Sequence, residues 1–139
     1  MSPTSSTSAG RAIGLLLPPL AVMAVIFYLS SQPGAADYAT WEVVLRKLGH
    51  VTGYALLALA WWRAFRGLLR TGRGLAAFVA AGAASLAYAI TDEIHQTFVS
   101  GRSGTPVDVL VDSVGIAAAL LLAARMSRSS RDVLDPEGT

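Results

Sequence analysis

AIGLLLPPLAVMAVIFYLSS, residues 12–31, is a long apolar stretch that carries no charged side chain. A helix needs about 20 apolar residues to cross the hydrocarbon core of a bilayer. This stretch therefore predicts a first transmembrane helix, in which Pro18 and Pro19 either produce a kink or mark a shifted start. Three further apolar segments predict helices over residues 43–65, 75–95 and 106–126.

The composition also indicates an all-α integral membrane bundle of about four transmembrane helices. Of the 139 residues, 53% are hydrophobic and 14% are charged, whereas soluble domains carry about 25% charged residues. The chain has no cysteine, which excludes disulfides and cysteine-ligated metals. Its basic residues lie beside the apolar segments, as topology signals do, and no nucleic-acid partner is expected.

The chain is expected to form one transmembrane domain, residues 11–126, between two polar ends. Residues 1–10 are rich in Ser and Thr and predict a disordered N-terminal tail, and residues 127–139 predict a polar C-terminal tail. A cleaved signal peptide is the alternative interpretation of helix one, because Gly34-Ala35-Ala36 resembles a cleavage site. The apolar run is longer than a typical signal-peptide core, which favours a retained helix.

The placement of arginine predicts the orientation in the membrane. With four helices, both termini and the connection between helices two and three share one side. That side carries Arg11, Arg63, Arg66, Arg70, Arg73, Arg125, Arg128 and Arg131, whereas the other side carries only Arg46, Lys47 and Arg102. Since positive charge near helix ends remains in the cytoplasm, both termini are expected to be cytoplasmic and the other two loops to face outward.

Polar residues concentrate at the predicted outward ends of helices two, three and four. Because successive helical residues are about 100° apart, each helix presents them as a stripe that is about 60–100° wide. Charged groups at membrane depth usually face the bundle interior or a wet cavity, where they pair. The stripes therefore predict one outward-opening, ligand-binding pocket, which is lined by Lys47, His50, Tyr54, Tyr88, Asp92, Glu93, His95, Gln96, Arg102, Asp108 and Asp112.

Some of these residues also have purely structural interpretations. Thr105-Pro106-Val107-Asp108 is a typical helix start, in which the Asp108 carboxylate caps helix four. Lys47 has the length to extend along the helix to the membrane interface. Asp112 is the hardest to explain in this way, since it lies two turns into an apolar helix and needs a partner. The candidate partners are Arg102, Lys47 and His50.

The same residue types leave catalysis and transport open. Asp92 and Glu93 are candidate general bases with His95 as a partner. His50, Asp92, His95 and Asp112 are candidate ligands of a divalent metal, although their spacing matches no established metal motif. Intramembrane carboxylates and histidines also form proton relays, so a small proton-coupled transporter is a further hypothesis. The small residues 82–85 leave a homo-oligomer open.

Four segments, taken in order, resemble the VanZ-like family of bacterial membrane proteins. They are Ser30-Ser31-Gln32-Pro33, then Lys47-Leu48-Gly49-His50 with Tyr54, then Asp92-Glu93-Ile94-His95-Gln96 followed by Gly101-Arg102, and finally Asp108-Val109-Leu110-Val111-Asp112. The resemblance covers residues from about 27 to 122. The family usually has Asn at the position of Asp112, so this chain adds a negative charge to the pocket.

The resemblance implies a cell-envelope protein of the bacterial cytoplasmic membrane. The namesake of the family confers resistance to the glycopeptide antibiotic teicoplanin, and most members occur outside resistance clusters. Taking this resemblance together with the predicted pocket residues, we expect the protein to bind a lipid head group or a lipid-linked cell-wall precursor. Lys47 and Arg102 would then contact its phosphate. The alternative is a metal-dependent hydrolase or transferase acting on a phospholipid or polyprenyl phosphate. Membrane lipids are the expected partners in both cases.

Overall fold

Four helices make up the described part of the chain. A computed structural model describes residues 4–34, 40–69 and 74–134, and the side chains of residues 8–34, 41–69 and 74–127. The helices are α1 (Thr4–Ser30), α2 (Thr40–Leu68), α3 (Gly74–Gln96) and α4 (Pro106–Leu134). Each contains a segment long and apolar enough to cross a membrane. The predicted all-α bundle of transmembrane helices is therefore confirmed.

The first and last helices extend beyond the predicted apolar segments. Helix α1 begins at Thr4, where a disordered tail was expected, and α4 continues to Leu134 through the first part of the predicted polar tail. Helical hydrogen bonds join backbone groups, so polar residues at either end of an apolar segment can continue the helix. Hydropathy marks the membrane-crossing part of a helix, and it does not mark where the helix ends.

Helix α1 contains Pro18 and Pro19, and α2 supplies a hydrogen-bond donor that one of these prolines lacks. Proline lacks the backbone N–H that would bond to the carbonyl four residues earlier. For Pro18 that carbonyl belongs to Gly14, and it accepts a hydrogen bond from Arg63 Nη1 of α2 at 3.3 Å. Arg11 Nη2 in turn donates to the Gly67 carbonyl at 3.2 Å. These contacts join α1 to α2 at one end of the bundle, which we call the arginine end.

Helix α2 packs against the other three helices, and α3 also packs against α1 and α4. The buried apolar core consists of Ile26, Tyr54, Leu57, Ala58, Ala81, Ala89, Ile116 and Leu120. On α3 the fully buried small residues are Ala77, Ala81, Ser85 and Ala89, spaced four apart, and this stripe permits close helix packing. Large apolar side chains on the outside are exposed, as expected for a surface that faces lipid.

A close contact between α2 and α4 sets the geometry of the opposite end, which we call the site end. A Cβ atom at Gly115 would lie 2.8 Å from the Val51 carbonyl oxygen, so only glycine permits this approach of the two backbones. Lys47 and His50 of α2 and Asp108 and Asp112 of α4 lie within two helical turns of this contact. The C-termini of α1 and α3 reach the same end, because the helices run up and down in turn.

Candidate functional site

A cavity of about 350 Å³ lies at the site end, between α2, α3, α4 and the loop that joins α3 to α4. We call it the polar cavity. The sequence-predicted residues that line it are Lys47, His50, Glu93, Gln96, Arg102, Asp108 and Asp112, and they are joined by Arg46, Ser103 and Thr105. Polar groups from three helices therefore share one cavity, as their stripes suggested.

The rim of the cavity carries an ion pair between α2 and α4. Lys47 Nζ lies 2.6 Å from Asp108 Oδ1, and half of the Lys47 side chain is exposed. Asp108 Oδ2 accepts a hydrogen bond from the Thr105 hydroxyl at 2.6 Å, and the Asp108 N–H donates to the same hydroxyl oxygen at 3.3 Å. Thr105 thus caps α4 through its hydroxyl as predicted, whereas the Asp108 carboxylate accepts from that hydroxyl and not from the Thr105 backbone N–H, which donates to Glu93. Asp108 also lines the cavity.

Glu93 connects α3 to the beginning of α4. Its Oε2 accepts a hydrogen bond from the Thr105 backbone N–H at 3.0 Å. This N–H lies at the N-terminus of α4, where a helix leaves its first backbone donors unpaired. Its Oε1 points the other way, at 3.4 Å from Gln96 Nε2 and 4.0 Å from His50 Nδ1. The sequence suggested a general base at this position, and the structure gives one of the two carboxylate oxygens a structural role.

His50, Glu93 and Asp112 form a group that we call the acidic cluster. His50 Nδ1 lies 3.5 Å from Asp112 Oδ2, and ligand atoms of all three residues lie within 4.8 Å of one another. Asp112 is 1% exposed, and neither of its carboxylate oxygens has a hydrogen-bond partner among the described residues. Of the three candidate partners for Asp112, His50 is the one within ion-pair distance in the described part of the chain.

Asp92 is directed away from the acidic cluster, towards α1 and α2. Its Oδ2 accepts hydrogen bonds from Ser30 Oγ at 2.8 Å, from the Tyr54 hydroxyl at 3.0 Å and from Gln96 Nε2 at 3.1 Å. Asp92 is 3% exposed and does not line the polar cavity. Its contacts are those of a buried residue that ties three helices together, and they do not suggest a metal ligand or a general base.

His95 and Tyr88 also face α1. The His95 ring stacks on Phe27 with 4.7 Å between ring centroids, and its Nε2 shares a hydrogen bond with Ser31 Oγ at 3.1 Å. The Tyr88 hydroxyl donates to the Met23 carbonyl at 2.7 Å. His95, Tyr88 and Tyr54 are absent from the lining of the polar cavity, although the sequence predicted all three there.

The predicted metal ligands His50, Asp92, His95 and Asp112 are therefore not brought together as one group. His50 and Asp112 do meet, but Glu93 joins them where the sequence suggested Asp92 and His95. The polar arc on α3 is about 100° wide, which is wide enough to face two neighbouring helices. One side of this arc contacts α1, and Glu93, at its edge, contacts α4.

The loop after α3 holds Arg102 above the cavity. Gly101 has a φ of 72°, in the left-handed region that glycine adopts at little cost. The Gly34 N–H donates to the Ser100 carbonyl at 2.9 Å, and Arg102 Nη2 donates to the Leu29 carbonyl at 3.1 Å. Arg102 is thus oriented by the C-terminal end of α1, where carbonyl groups lack partners within the helix.

A second depression, of about 420 Å³, lies between α1 and α2, and we call it the lateral groove. Much of its lining is apolar, including Ile26, Leu29 and Leu45, and Leu29 and Leu45 are each 57% exposed. It shares three lining residues with the polar cavity, namely Arg46, His50 and Arg102. The two depressions therefore adjoin at these side chains.

Sequence reasoning missed several residues of the site. Ser30 and Ser31 contact Asp92 and His95 respectively, and their signal was a polar pair at the end of an otherwise apolar helix. Arg46 lines both depressions, but from the sequence it contributed only to the orientation. Thr105 was interpreted only as a helix cap. The predicted cleavage-like residues 35–36 lie outside the described residues, as do Arg70 and Arg73 and the side chains of Arg128 and Arg131.

The comparisons with known proteins give one match. A family profile described as VanZ/LLP1 matches residues 5–127, which is most of the chain. No curated protein and no solved structure matches the chain.

Proposed function

The chain belongs to the VanZ/LLP1 family of membrane proteins, and we propose that its polar cavity binds the phosphate-bearing head group of a lipid at the outer face of the bacterial cytoplasmic membrane. The observation that carries this proposal is the junction between the polar cavity and the lateral groove. The charged polar cavity suits the head group of a lipid, and the more apolar lateral groove beside it suits the hydrocarbon chain. In this proposal the site end faces outward and the arginine end faces the cytoplasm.

The cations that line the polar cavity are suited to phosphate. Arg46, Lys47 and Arg102 come from α2 and from the loop before α4. Guanidinium groups bind phosphate through paired N–H donors, and charge assistance makes such bonds stronger than neutral ones. The bond from Arg102 Nη2 to the Leu29 carbonyl orients the guanidinium group beside the cavity that it lines. The N-terminus of α4 adds partial positive charge nearby.

The lateral groove is suited to the apolar chain of the same lipid. Ile26, Leu29 and Leu45 provide an apolar surface that begins beside Arg46 and Arg102. A lipid whose phosphate entered the polar cavity would keep its chain in contact with protein and bilayer and would not expose it to water. Diacyl and polyprenyl phosphates share this chemistry, and lipid-linked cell-wall precursors belong to the second kind.

Binding titrations of the full chain test this proposal. The protein would be placed in nanodiscs of zwitterionic lipid and titrated separately with phosphatidic acid, a polyprenyl phosphate and inorganic phosphate. We expect a lipid phosphate to bind more tightly than inorganic phosphate, because only the lipid fills the groove. The preferred lipid identifies the source of the phosphate group.

Two arginine variants provide the matched comparison for these titrations. We expect Arg102→Ala to weaken lipid phosphate binding by about tenfold or more, which corresponds to the loss of a charge-assisted hydrogen bond. Arg66→Ala is the control, since Arg66 stacks over Trp62 at the arginine end, at 5.0 Å from the ring centroid. Equal effects of the two substitutions, or no preference for phosphate lipids over neutral ones, would contradict the proposal.

An intramembrane hydrolase or transferase is the second candidate, and the acidic cluster is the observation that favours it. The structure does not place His95 beside the cavity, which removes the histidine partner expected for Glu93. Incubating the protein with each lipid and measuring the released phosphate or head group distinguishes turnover from binding. Recovery of intact lipid supports the binding role, and stoichiometric excess of product over protein supports the enzyme.

A proton-coupled transporter receives less support from the structure. A relay requires ionisable groups through the depth of the membrane. Among the described residues, the buried charged groups Asp92, Glu93 and Asp112 gather at the site end, and the core beyond Tyr54 is formed by residues such as Leu57, Ala58 and Leu120. This distribution favours a site at one membrane face.

The family membership extends the proposal to glycopeptide resistance. We expect expression of the chain in a teicoplanin-susceptible bacterium to raise the inhibitory concentration of teicoplanin, and Arg102→Ala to abolish the increase. An unchanged inhibitory concentration, with the protein present in the membrane, would remove resistance from the proposed roles and leave lipid binding to be decided by the titrations.

A further inference from the structure

The acidic cluster is a set of buried charges that the protein alone does not satisfy. Glu93 is 5% exposed and Asp112 is 1% exposed. Both oxygens of Asp112 and Nδ1 of His50 lack hydrogen-bond partners among the described residues. Burying an ionised carboxylate without hydrogen bonds is costly, and more so at membrane depth. Among the described residues, the group within ion-pair distance of Asp112 is His50 Nδ1, at 3.5 Å.

Lys47, one of the cations that line the polar cavity, pairs with a carboxylate outside the acidic cluster. Lys47 Nζ lies 2.6 Å from Asp108, and half of the Lys47 side chain is exposed. At Asp92, by comparison, Oδ2 accepts hydrogen bonds from three side chains, while Oδ1 has no partner among the described residues. Asp112, on the adjacent helix, has no comparable set of donors in the described part of the chain.

We propose that His50, Glu93 and Asp112 bind one divalent metal ion. Nitrogen and carboxylate ligands of Zn²⁺ lie about 2.0–2.2 Å from the metal, which places two ligands of one ion about 3–4.4 Å apart. The distances from His50 Nδ1 to Asp112 and Glu93 are 3.5 Å and 4.0 Å, and all three ligand atoms lie within 4.8 Å of one another. A small contraction completes the site.

The chemistry of the ligands indicates the class of metal. One imidazole and two carboxylates suit Zn²⁺ and Mn²⁺, and the absence of cysteine excludes a thiolate site. Glu93 is already oriented for this role, because the Thr105 N–H holds Oε2 while Oε1 faces His50. Such outer contacts generally fix the direction of a metal ligand. The remaining coordination positions would open to the polar cavity.

Binding of metal is measured on the full chain without any phosphate lipid. The protein would be purified, treated with a chelator, placed in zwitterionic nanodiscs and titrated with Mn²⁺, with free Mn²⁺ followed by electron paramagnetic resonance. We expect one Mn²⁺ per chain. Asp112→Asn and His50→Gln should each weaken binding by at least tenfold, since the first removes a carboxylate charge and the second an imidazole nitrogen while the size of the side chain is nearly kept.

His95→Gln is the matched control, because it removes an imidazole at the same end of the bundle that contacts Phe27 and Ser31 of α1. It should bind Mn²⁺ like the original chain. Absence of stoichiometric binding to the folded protein would overturn the metal site, as would equal affinity in Asp112→Asn.

A role of the metal in holding phosphate would rest on the proposed function, but metal binding itself does not. Lipid phosphate binding by a chain that takes up no Mn²⁺ would overturn the metal site and leave the proposed function standing. Mn²⁺ binding by a chain that ignores phosphate lipids would support the metal site and contradict the proposed function.

Discussion

At the scale of single residues, two buried aspartates show how neighbours decide the role of one side-chain type. Asp92 accepts hydrogen bonds from Ser30, Tyr54 and Gln96 at one carboxylate oxygen, so three fixed donors hold that oxygen in place. Asp112 is more deeply buried and faces His50 in the polar cavity. The first arrangement stabilises a helix junction, and the second leaves ligand capacity for something that enters the cavity.

Removing the Tyr54 hydroxyl should weaken that junction. We expect Tyr54→Phe to lower the free energy of unfolding by about 1–3 kcal/mol, because a hydrogen bond to a buried carboxylate is lost. Unfolding in detergent micelles with increasing denaturant measures the change. Tyr28→Phe is the control, since Tyr28 is 66% exposed. Similar effects of the two substitutions would contradict the role given to the Asp92 network.

Lys47 should contribute to ligand binding more than to stability. Its ion pair with Asp108 is partly exposed, and exposed ion pairs stabilise proteins by only about 0–1 kcal/mol. We expect Lys47→Gln to leave the unfolding midpoint nearly unchanged and to lower the affinity for lipid phosphate severalfold. Parallel unfolding and nanodisc titrations separate the two effects, and a large loss of stability with unchanged affinity would be the opposite result.

At the scale of the helices, close backbone contact and crossed hydrogen bonds position the site. Gly115 allows α4 to approach α2 at Val51, and Arg63 satisfies the Gly14 carbonyl that Pro18 leaves without its usual donor. The two contacts lie at opposite ends of the bundle. Together they fix α2 between α1 and α4, which places the lateral groove and the polar cavity on either side of its N-terminal half.

Separating α2 from α4 should lower the stability of the bundle. We expect Gly115→Ala to lower the free energy of unfolding by about 1–3 kcal/mol, because its Cβ would lie 2.8 Å from the Val51 carbonyl oxygen. Gly49→Ala, on α2, is the matched control, since a Cβ atom there would meet nothing within 4 Å. It should be neutral or slightly stabilising, because alanine favours helices over glycine. An unperturbed Gly115→Ala protein would contradict the close contact.

At the scale of the whole molecule, the sequence predicted the bundle and the end at which the site lies. Long apolar runs determine membrane-crossing helices directly, and the placement of Lys47, Asp92 and Asp112 in their helices put all three at one end. The sequence did not predict which polar residues of α3 face the cavity and which face α1. His95 and Glu93 lie only two residues apart, yet His95 contacts Ser31 at the end of α1 and Glu93 contacts Thr105 at the start of α4. That outcome depends on the rotation of α3 between α1 and α4, which periodicity does not specify.

The lateral groove was also beyond sequence reasoning. Leu29 and Leu45 belong to the predicted apolar segments, whose pattern does not distinguish a residue that faces lipid from one that lines a groove, and both are exposed. The groove lies between α1 and α2 at the level of Ser30 and Gly49, both of which line it. Distances between helices are set by packing across the bundle, and a single chain pattern does not contain them.

The orientation of the molecule can be read with single cysteines, because the chain contains none. We expect a maleimide that cannot cross membranes to label Ser103→Cys in intact cells and to label Gly10→Cys only after the cells are opened. Both positions are exposed at opposite ends of the bundle. Labelling of Gly10→Cys alone in intact cells would reverse the topology and place the polar cavity in the cytoplasm.

Photo-crosslinking reports whether one lipid phosphate occupies the cavity formed by α2, α3 and α4. A lipid phosphate with a photoreactive group next to its head would be bound in nanodiscs, irradiated and mapped by mass spectrometry. We expect adducts within residues 43–50 and 101–112, lost when unlabelled lipid phosphate competes. Adducts at Trp62, Arg66 and Phe78 near the arginine end, or spread over the lipid-facing surface without competition, would contradict the account.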